Sequence, residues 1–308
     1  MSLSATTHPV ADYAEATHRI KAMQSRDTAE VLQVARTQFM DQGRKTARAI
    51  VLMHSLSNSP EQFYELGKRF FDEGYNVLIP RMPFHGNADR MTTEQAKLEG
   101  NYLLGFLNES VDIAQGLGDY VVVAGQSMGG VLAALCALYR RDVDLNVLIS
   151  PTFGLWGLSH NLSHRLGKTM LSMSNQFIWW DLFQGQRFGP DYIYPRVASH
   201  ALAHGLELAN QAMVSAGVMK PSAGVMIVVT HARDPFSTPS ASGQFAKLVA
   251  SRGTMVREEH LTNLPRKHDI IDPWSIGQHR ALVHDALVDL ITPYRPANVP
   301  APEAGPAS

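Results

Sequence analysis

The chain has 308 residues, 45% of them hydrophobic and 18% charged, and its formal net charge is −1. This is globular composition, enough for one large domain or one domain with an insertion, and without a basic stripe it argues against a nucleic-acid partner. The single cysteine, Cys136, has no internal disulfide partner and reads as a small core residue. Neither a signal-length apolar run near the start nor a stretch of about 18 apolar residues is found, so a soluble cytoplasmic protein is expected.

Residues 1–47 carry no strand signal and read as an N-terminal helical segment. A helix is predicted over residues 28–42, with Asp27 as N-cap, Gly43 as stop, and Val31, Val34, Ala35 and Phe39 as its apolar face. It fits a docking helix, an arm to a partner or a helix packed on a sheet. From Arg48 the pattern changes, and short apolar strands alternate with helices. Strands are predicted at 49–53, 76–79, 120–124, 146–150, 225–230 and 255–259. Helices are predicted at 60–73, 93–117, 127–139, 237–251 and 273–290, with Pro60 in the first turn of one of them. Strands separated by helices imply a mostly parallel sheet covered on both faces.

Residues 152–221 interrupt this rhythm. No strand is evident there, and the stretch holds Phe153, Trp156, Phe177, Trp179, Trp180, Phe183 and Phe188. Placed between two sheet strands, it reads as a helical cap over the strand C-terminal ends, where ligands bind in such sheets. The remaining parts are a core of residues 48–151 with 222–292 and a Pro/Ala-rich tail, 293–308, of disordered composition. The pairs His160/His164 and His200/His204 have the helical spacing of metal sites, but no set of acidic or thiol partners completing four ligands is obvious, so no metal is expected.

The most specific chemical signal is Gly125-Gln126-Ser127-Met128-Gly129, preceded by the apolar run Val121-Val122-Val123-Ala124 and followed by an Ala/Leu-rich helix. A strand, a Gly-x-Ser-x-Gly turn and a helix form a nucleophile elbow. A serine hydroxyl needs a base, and the base an orienting acid, in the chain order Ser, Asp or Glu, His. Asp234 follows the strand at 225–230 and supplies the acid. His268 lies in the loop after the last strand and supplies the base. His260 is the alternative base, and Asp269 and Asp272 are competing orienters. The oxyanion donors are expected at the N–H of Met128, next after the serine, and of Leu56, in the turn His54-Ser55-Leu56-Ser57-Asn58.

These residues resemble the α/β-hydrolase superfamily, and within it the monoacylglycerol lipase and bacterial carboxylesterase branch. The resemblance rests on VLMHSLSNSPEQF, IPRMPFHGNADR, AGQSMGG, THARDPF and LPRKHDIIDP, which span residues 48–291, most of the chain. It implies the α/β-hydrolase fold with an inserted cap, and ester hydrolysis through an acyl-enzyme without metal or organic cofactor. The implied substrate is a small-molecule ester with an apolar moiety. His54, Ser55, Phe84, Trp156 and Trp179 are the expected substrate-contacting residues. The chain departs from the family at Ser55 and Phe84, both of which replace a usual glycine. A lipase, an acyltransferase or amidase on the same triad, and a non-catalytic binding protein of this fold are the alternatives. Aspartate-nucleophile branches are disfavoured because position 127 is serine.

Overall fold

The computed structural model describes residues 7–179 and 189–294. The elements run α1 (Tyr13–Gln24), β1 (Gln38–Met40), β2 (Thr46–Met53), α2 (Tyr64–Asp72), β3 (Asn76–Ile79) and α3 (Gly100–Leu117). Then follow β4 (Gly118–Gln126), α4 (Met128–Tyr139), β5 (Leu145–Ile149), α5 (His160–Ser172), β6 (Phe177–Trp179), β7 (Arg196–Ala198) and α6 (Ser199–Val218). The chain continues through β8 (Val225–His231), α7 (Pro239–Ala250), β9 (Met255–Leu261), α8 (Pro273–Ile276) and α9 (Arg280–Ile291).

Seven strands form one sheet in the order β1-β3-β2-β4-β5-β8-β9, and only the β1–β3 pairing is antiparallel. Helices cover both faces, as strand alternation requires. On one face Val51, Met53, Val121, Val123 and Val228 pack in a core with residues of α3, α4, α6 and α7. On the other, Ile50, Leu52, Val122, Ala124, Ile227 and Val229 pack with residues of α2 and α9. Buried on both sides, β4 and β5 read as mainly apolar runs, with Asn146 the polar exception within β5. At the sheet edge β9 is largely exposed and carries Arg257, Glu258 and Glu259, charges that discourage further strand pairing.

The N-terminal segment corrects the expectation from sequence. Residues 28–42 are not a helix: they hold a short 3-10 turn, Gln33–Ala35, and the edge strand β1. The carboxylate of Asp27 does not cap a helix. It accepts from the Thr37 N–H at 2.8 Å and pairs with Arg81 Nε at 2.6 Å, which ties the segment down as an extended strap. Val31 bridges to Asn87, and Val34 is 43% exposed rather than on an apolar face. The helix lies upstream as α1, where Asp12 accepts from the Glu15 N–H. The Asp-x-x-Glu spacing is the cap signal that marks it. Ala16, Ile20 and Met23 bury against Ile113 and Leu117 of α3.

The insertion between β5 and β8 contains α5, α6 and an antiparallel pair, β6–β7, that the sequence did not announce. Each strand is three residues long, too short for alternation to be read. Trp180, Phe183 and Phe188 lie outside the described residues, as does the tail from residue 295. Cys136 is buried in the α4 core, and burial pushes its thiol pKa up. No helix among the described residues is long and apolar enough to cross a membrane.

Candidate active site

The site begins at the junction of β4 and α4. Gly125 and Gly129 allow the turn, because a Cβ at Gly125 would stand 2.3 Å from the Gly129 carbonyl carbon and one at Gly129 would stand 2.0 Å from the Met53 carbonyl oxygen. Ser127 sits between them at φ 59°, ψ −110°, a strained conformation held by the packing of the strand and the helix on either side. Its N–H donates to the Ile149 carbonyl at 2.9 Å.

The structure brings the three residues expected from sequence together. Ser127 Oγ lies 2.8 Å from His268 Nε2. His268 Nδ1 lies 3.0 Å from each oxygen of Asp234. Nδ1 therefore carries the ring hydrogen and Nε2 presents a lone pair to the serine. Asp234 is buried, and burial alone would raise its pKa. The adjacent His268, the Ser237 hydroxyl and the Phe236 N–H outweigh that and hold the carboxyl below its usual range. His231 stands behind Asp234, with Nε2 at 3.8 Å, and burial keeps its pKa low. His260, the alternative base, lies on the edge strand β9 and meets Thr230 of β8 instead.

Leu56 and Met128 line the same cavity as Ser127 and His268, a space of about 310 Å³ with Ile193, Val197, Leu202 and Phe236 as apolar walls. Met128 opens α4, so its N–H has no partner within the helix. The Leu56 peptide is fixed from both sides. His54 Nδ1–H donates to the Ser55 carbonyl at 2.9 Å while its Nε2 accepts the Met82 N–H at 3.0 Å. In a trans peptide the Leu56 N–H then points opposite to the Ser55 oxygen. The Leu56 carbonyl accepts from Gln95 Nε2 at 2.7 Å, and the Ser55 N–H donates to Gln62 Oε1 at 2.8 Å.

Four of the expected substrate contacts are not at this cavity. His54 is wholly buried behind the loop, where burial drives its pKa well below the imidazole range, and it acts on backbone. Phe84, at φ 63°, lines a different cavity and packs edge-on against Tyr102; the left-handed φ explains why glycine suits this position. Trp156 is 60% exposed, with its N–H on the Phe236 carbonyl. Trp179 lies on β6 and flanks Arg196 of β7. Ser55 does line the cavity. His160 engages the Phe153 carbonyl and Asn210, and His200 the Met173 carbonyl.

Other residues of the site were not expected from sequence. Thr152 Oγ1 lies 2.9 Å from Ser127 Oγ. Its position carried a signal: it follows the strand next to the elbow strand, where a carboxylate would be an alternative acid and a hydroxyl can also reach the serine. Around the cavity, Gln62 Nε2 donates to Asp269 at 2.7 Å, Asn58 bridges Asp269 and Asp272, and Gln126 Nε2 holds the His268 carbonyl at 2.8 Å. This network ties the Ser55–Leu56 loop to the histidine loop. Asp269 and Asp272 thus support the loop and do not orient the imidazole.

The sequence model of the Alpha/beta hydrolase family matches residues 50–270. No curated protein matches the sequence. Among solved structures, one from work on LipS and LipT, two metagenome-derived lipolytic enzymes, superposes with a TM-score of 0.62 at 18% identity, covering 86% of this chain and 100% of its own. The monoacylglycerol lipase of Paleococcus ferrophilus gives 0.59 at 15% identity, over 82% of this chain and 96% of its own. A soluble variant of monoglyceride lipase from Saccharomyces cerevisiae, bound to a substrate analog, gives 0.63 at 11% identity, over 85% and 91%. At such identities the likeness is one of fold.

Proposed function

We propose that this chain, which belongs to the Alpha/beta hydrolase family, is a serine carboxylesterase acting on small or lipid-like esters with an apolar acyl part. The observation that carries the reading is the continuous chain from Ser127 Oγ through His268 to Asp234, opening into a cavity with mainly apolar walls. Ser127 Oγ attacks the ester carbonyl and gives its proton to His268 Nε2. Asp234 holds the imidazole in the required tautomer and stabilises the imidazolium. The N–H groups of Leu56 and Met128 receive the oxyanion. The tetrahedral intermediate collapses, and the alcohol leaves with the proton from His268. Water then repeats the sequence and frees the acid. Residues 152–221 act as a cap, supplying Ile193, Val197 and Leu202 to the acyl pocket.

The test is hydrolysis of p-nitrophenyl esters from acetate to palmitate by the wild type and Ser127→Ala, with fluorophosphonate labelling. Activity and labelling that vanish together in the variant are expected. A wild type that neither hydrolyses any ester nor takes the label would overturn the reading.

A further inference from the structure

Thr152 stands just beyond the end of β5, is buried, and lines the cavity. Its N–H donates to the Ser127 carbonyl at 3.3 Å and its hydroxyl lies 2.9 Å from Ser127 Oγ. Among the described residues Ser127 Oγ therefore has two hydrogen-bonding neighbours, Thr152 Oγ1 and His268 Nε2, but only one hydrogen to give. His268 Nδ1 faces both oxygens of an acceptor-only carboxylate, so the neutral ring offers Nε2 as an acceptor. If Ser127 gave its hydrogen to Thr152, Nε2 would lose its donor, and the Thr152 hydrogen would have no acceptor among the described residues. If Ser127 donates to His268 and Thr152 donates to Ser127 Oγ, both hydrogens are used. Buried polar groups favour the arrangement that satisfies them.

From this we infer that Thr152 is a further catalytic residue, whose hydroxyl donates to Ser127 Oγ and assists its departure from the acyl-enzyme. The inference rests on the reading of Ser127 as nucleophile. In deacylation the water oxygen bonds to the acyl carbon and its proton goes to His268 Nε2. The intermediate then collapses: the bond from the acyl carbon to Oγ breaks, the electron pair goes to Oγ, and His268 returns the proton there. Thr152 transfers no proton. Only interactions stronger in the transition state than in the ground state accelerate a step. Before acylation Oγ is a hydroxyl oxygen and already a good acceptor, so the Thr152 bond gains little as charge develops. In the acyl-enzyme Oγ is a bridging ester oxygen and a poor acceptor. There the bond strengthens as Oγ gains charge, and the benefit falls mainly on deacylation.

The experiment compares wild type, Thr152→Val and Thr152→Ser on a p-nitrophenyl ester, by steady-state and stopped-flow release of p-nitrophenolate. Thr152→Val is expected to lower kcat and KM together by about tenfold, the effect of one lost hydrogen bond of ~1.4 kcal/mol. kcat/KM, which reports acylation, stays within about twofold, and a burst stoichiometric with enzyme grows. Thr152→Ser restores kcat. Thr152→Ala gives the same pattern and stands in if the valine variant does not fold. A fall in kcat/KM equal to the fall in kcat, without a larger burst, overturns the role, as does unchanged kinetics in Thr152→Val. No Ser127-dependent acyl-enzyme in the wild type overturns the underlying esterase reading and the Thr152 role with it. A normal wild-type burst unaltered in Thr152→Val overturns only the latter.

Discussion

Gln95 joins Leu56 to the insertion. Its amide nitrogen donates to the Leu56 carbonyl at 2.7 Å, and its amide oxygen accepts the Ala198 N–H at 2.8 Å, where β7 passes into α6. Gln95, with His85 Nε2 at 2.8 Å on the same Leu56 carbonyl, thus links the loop that carries the Leu56 N–H to the point where β7 passes into α6. Gln95→Glu keeps an acceptor for Ala198 but sets a carboxylate oxygen against the Leu56 carbonyl. The expected outcome is a loss of about tenfold or more in kcat/KM with the fold retained, since on the proposed mechanism Leu56 supplies an oxyanion donor, and displacing one removes up to ~10²–10³ in rate. Full activity in a folded Gln95→Glu protein would show that Gln95 does not position Leu56.

Gly129 and Gly105 make opposite predictions for the same substitution. At Gly129 a methyl group would lie 2.0 Å from the Met53 carbonyl oxygen, and neither backbone segment can yield without opening the turn. Gly129→Ala is expected to cost about 3 kcal/mol or more, or to prevent folding. Gly105 lies within α3, and a Cβ added there would meet nothing within 4 Å. Gly105→Ala is expected to stabilise by up to about 1 kcal/mol, by removing backbone freedom from the unfolded chain. Urea unfolding of both variants checks the pair, and similar midpoints would contradict it.

Asp272 predicts a pH dependence of stability. Burial first, and then the neighbouring Asp269, raise its pKa to about 7. An acid whose pKa is higher folded than unfolded holds its proton more tightly in the native state. The stability it contributes is complete below its unfolded pKa, near 3.8, and is lost as pH rises through about 7. Thermal denaturation of wild type and Asp272→Asn between pH 4 and pH 8 should show the variant gaining on the wild type as pH rises. Parallel curves would mean that Asp272 does not carry the titration.

Much of the fold was legible because its signals are local. The core strands are buried on both faces, so they read as mainly apolar runs, 121–124 of β4 and 225–229 of β8 without a break, and a Gly-x-Ser-x-Gly turn between such a run and an Ala/Leu-rich helix marks a strand-to-helix elbow. The strap from Asp27 to Met40 was not legible. Its propensities fit a helix, and a contact with Arg81, 54 residues away, decides against one. The same holds around the cavity. His54 and Trp156 share the chemistry of pocket residues, but which face of a loop a side chain takes depends on what packs behind it.

By itself, then, the sequence determined the alternation of elements, the elbow, and the chain order of Ser127, Asp234 and His268. These follow from periodicity, from sterics within a few residues, and from a fixed topological order. Only the tertiary structure decided that Thr152 touches the serine, that Gln62, Gln95 and Gln126 brace the surrounding loops, and that Ile193, Val197 and Leu202 form the cavity wall. Those contacts join residues tens to hundreds of positions apart. The hydrogen bonds and buried surface that select them exist only once the sheet has assembled.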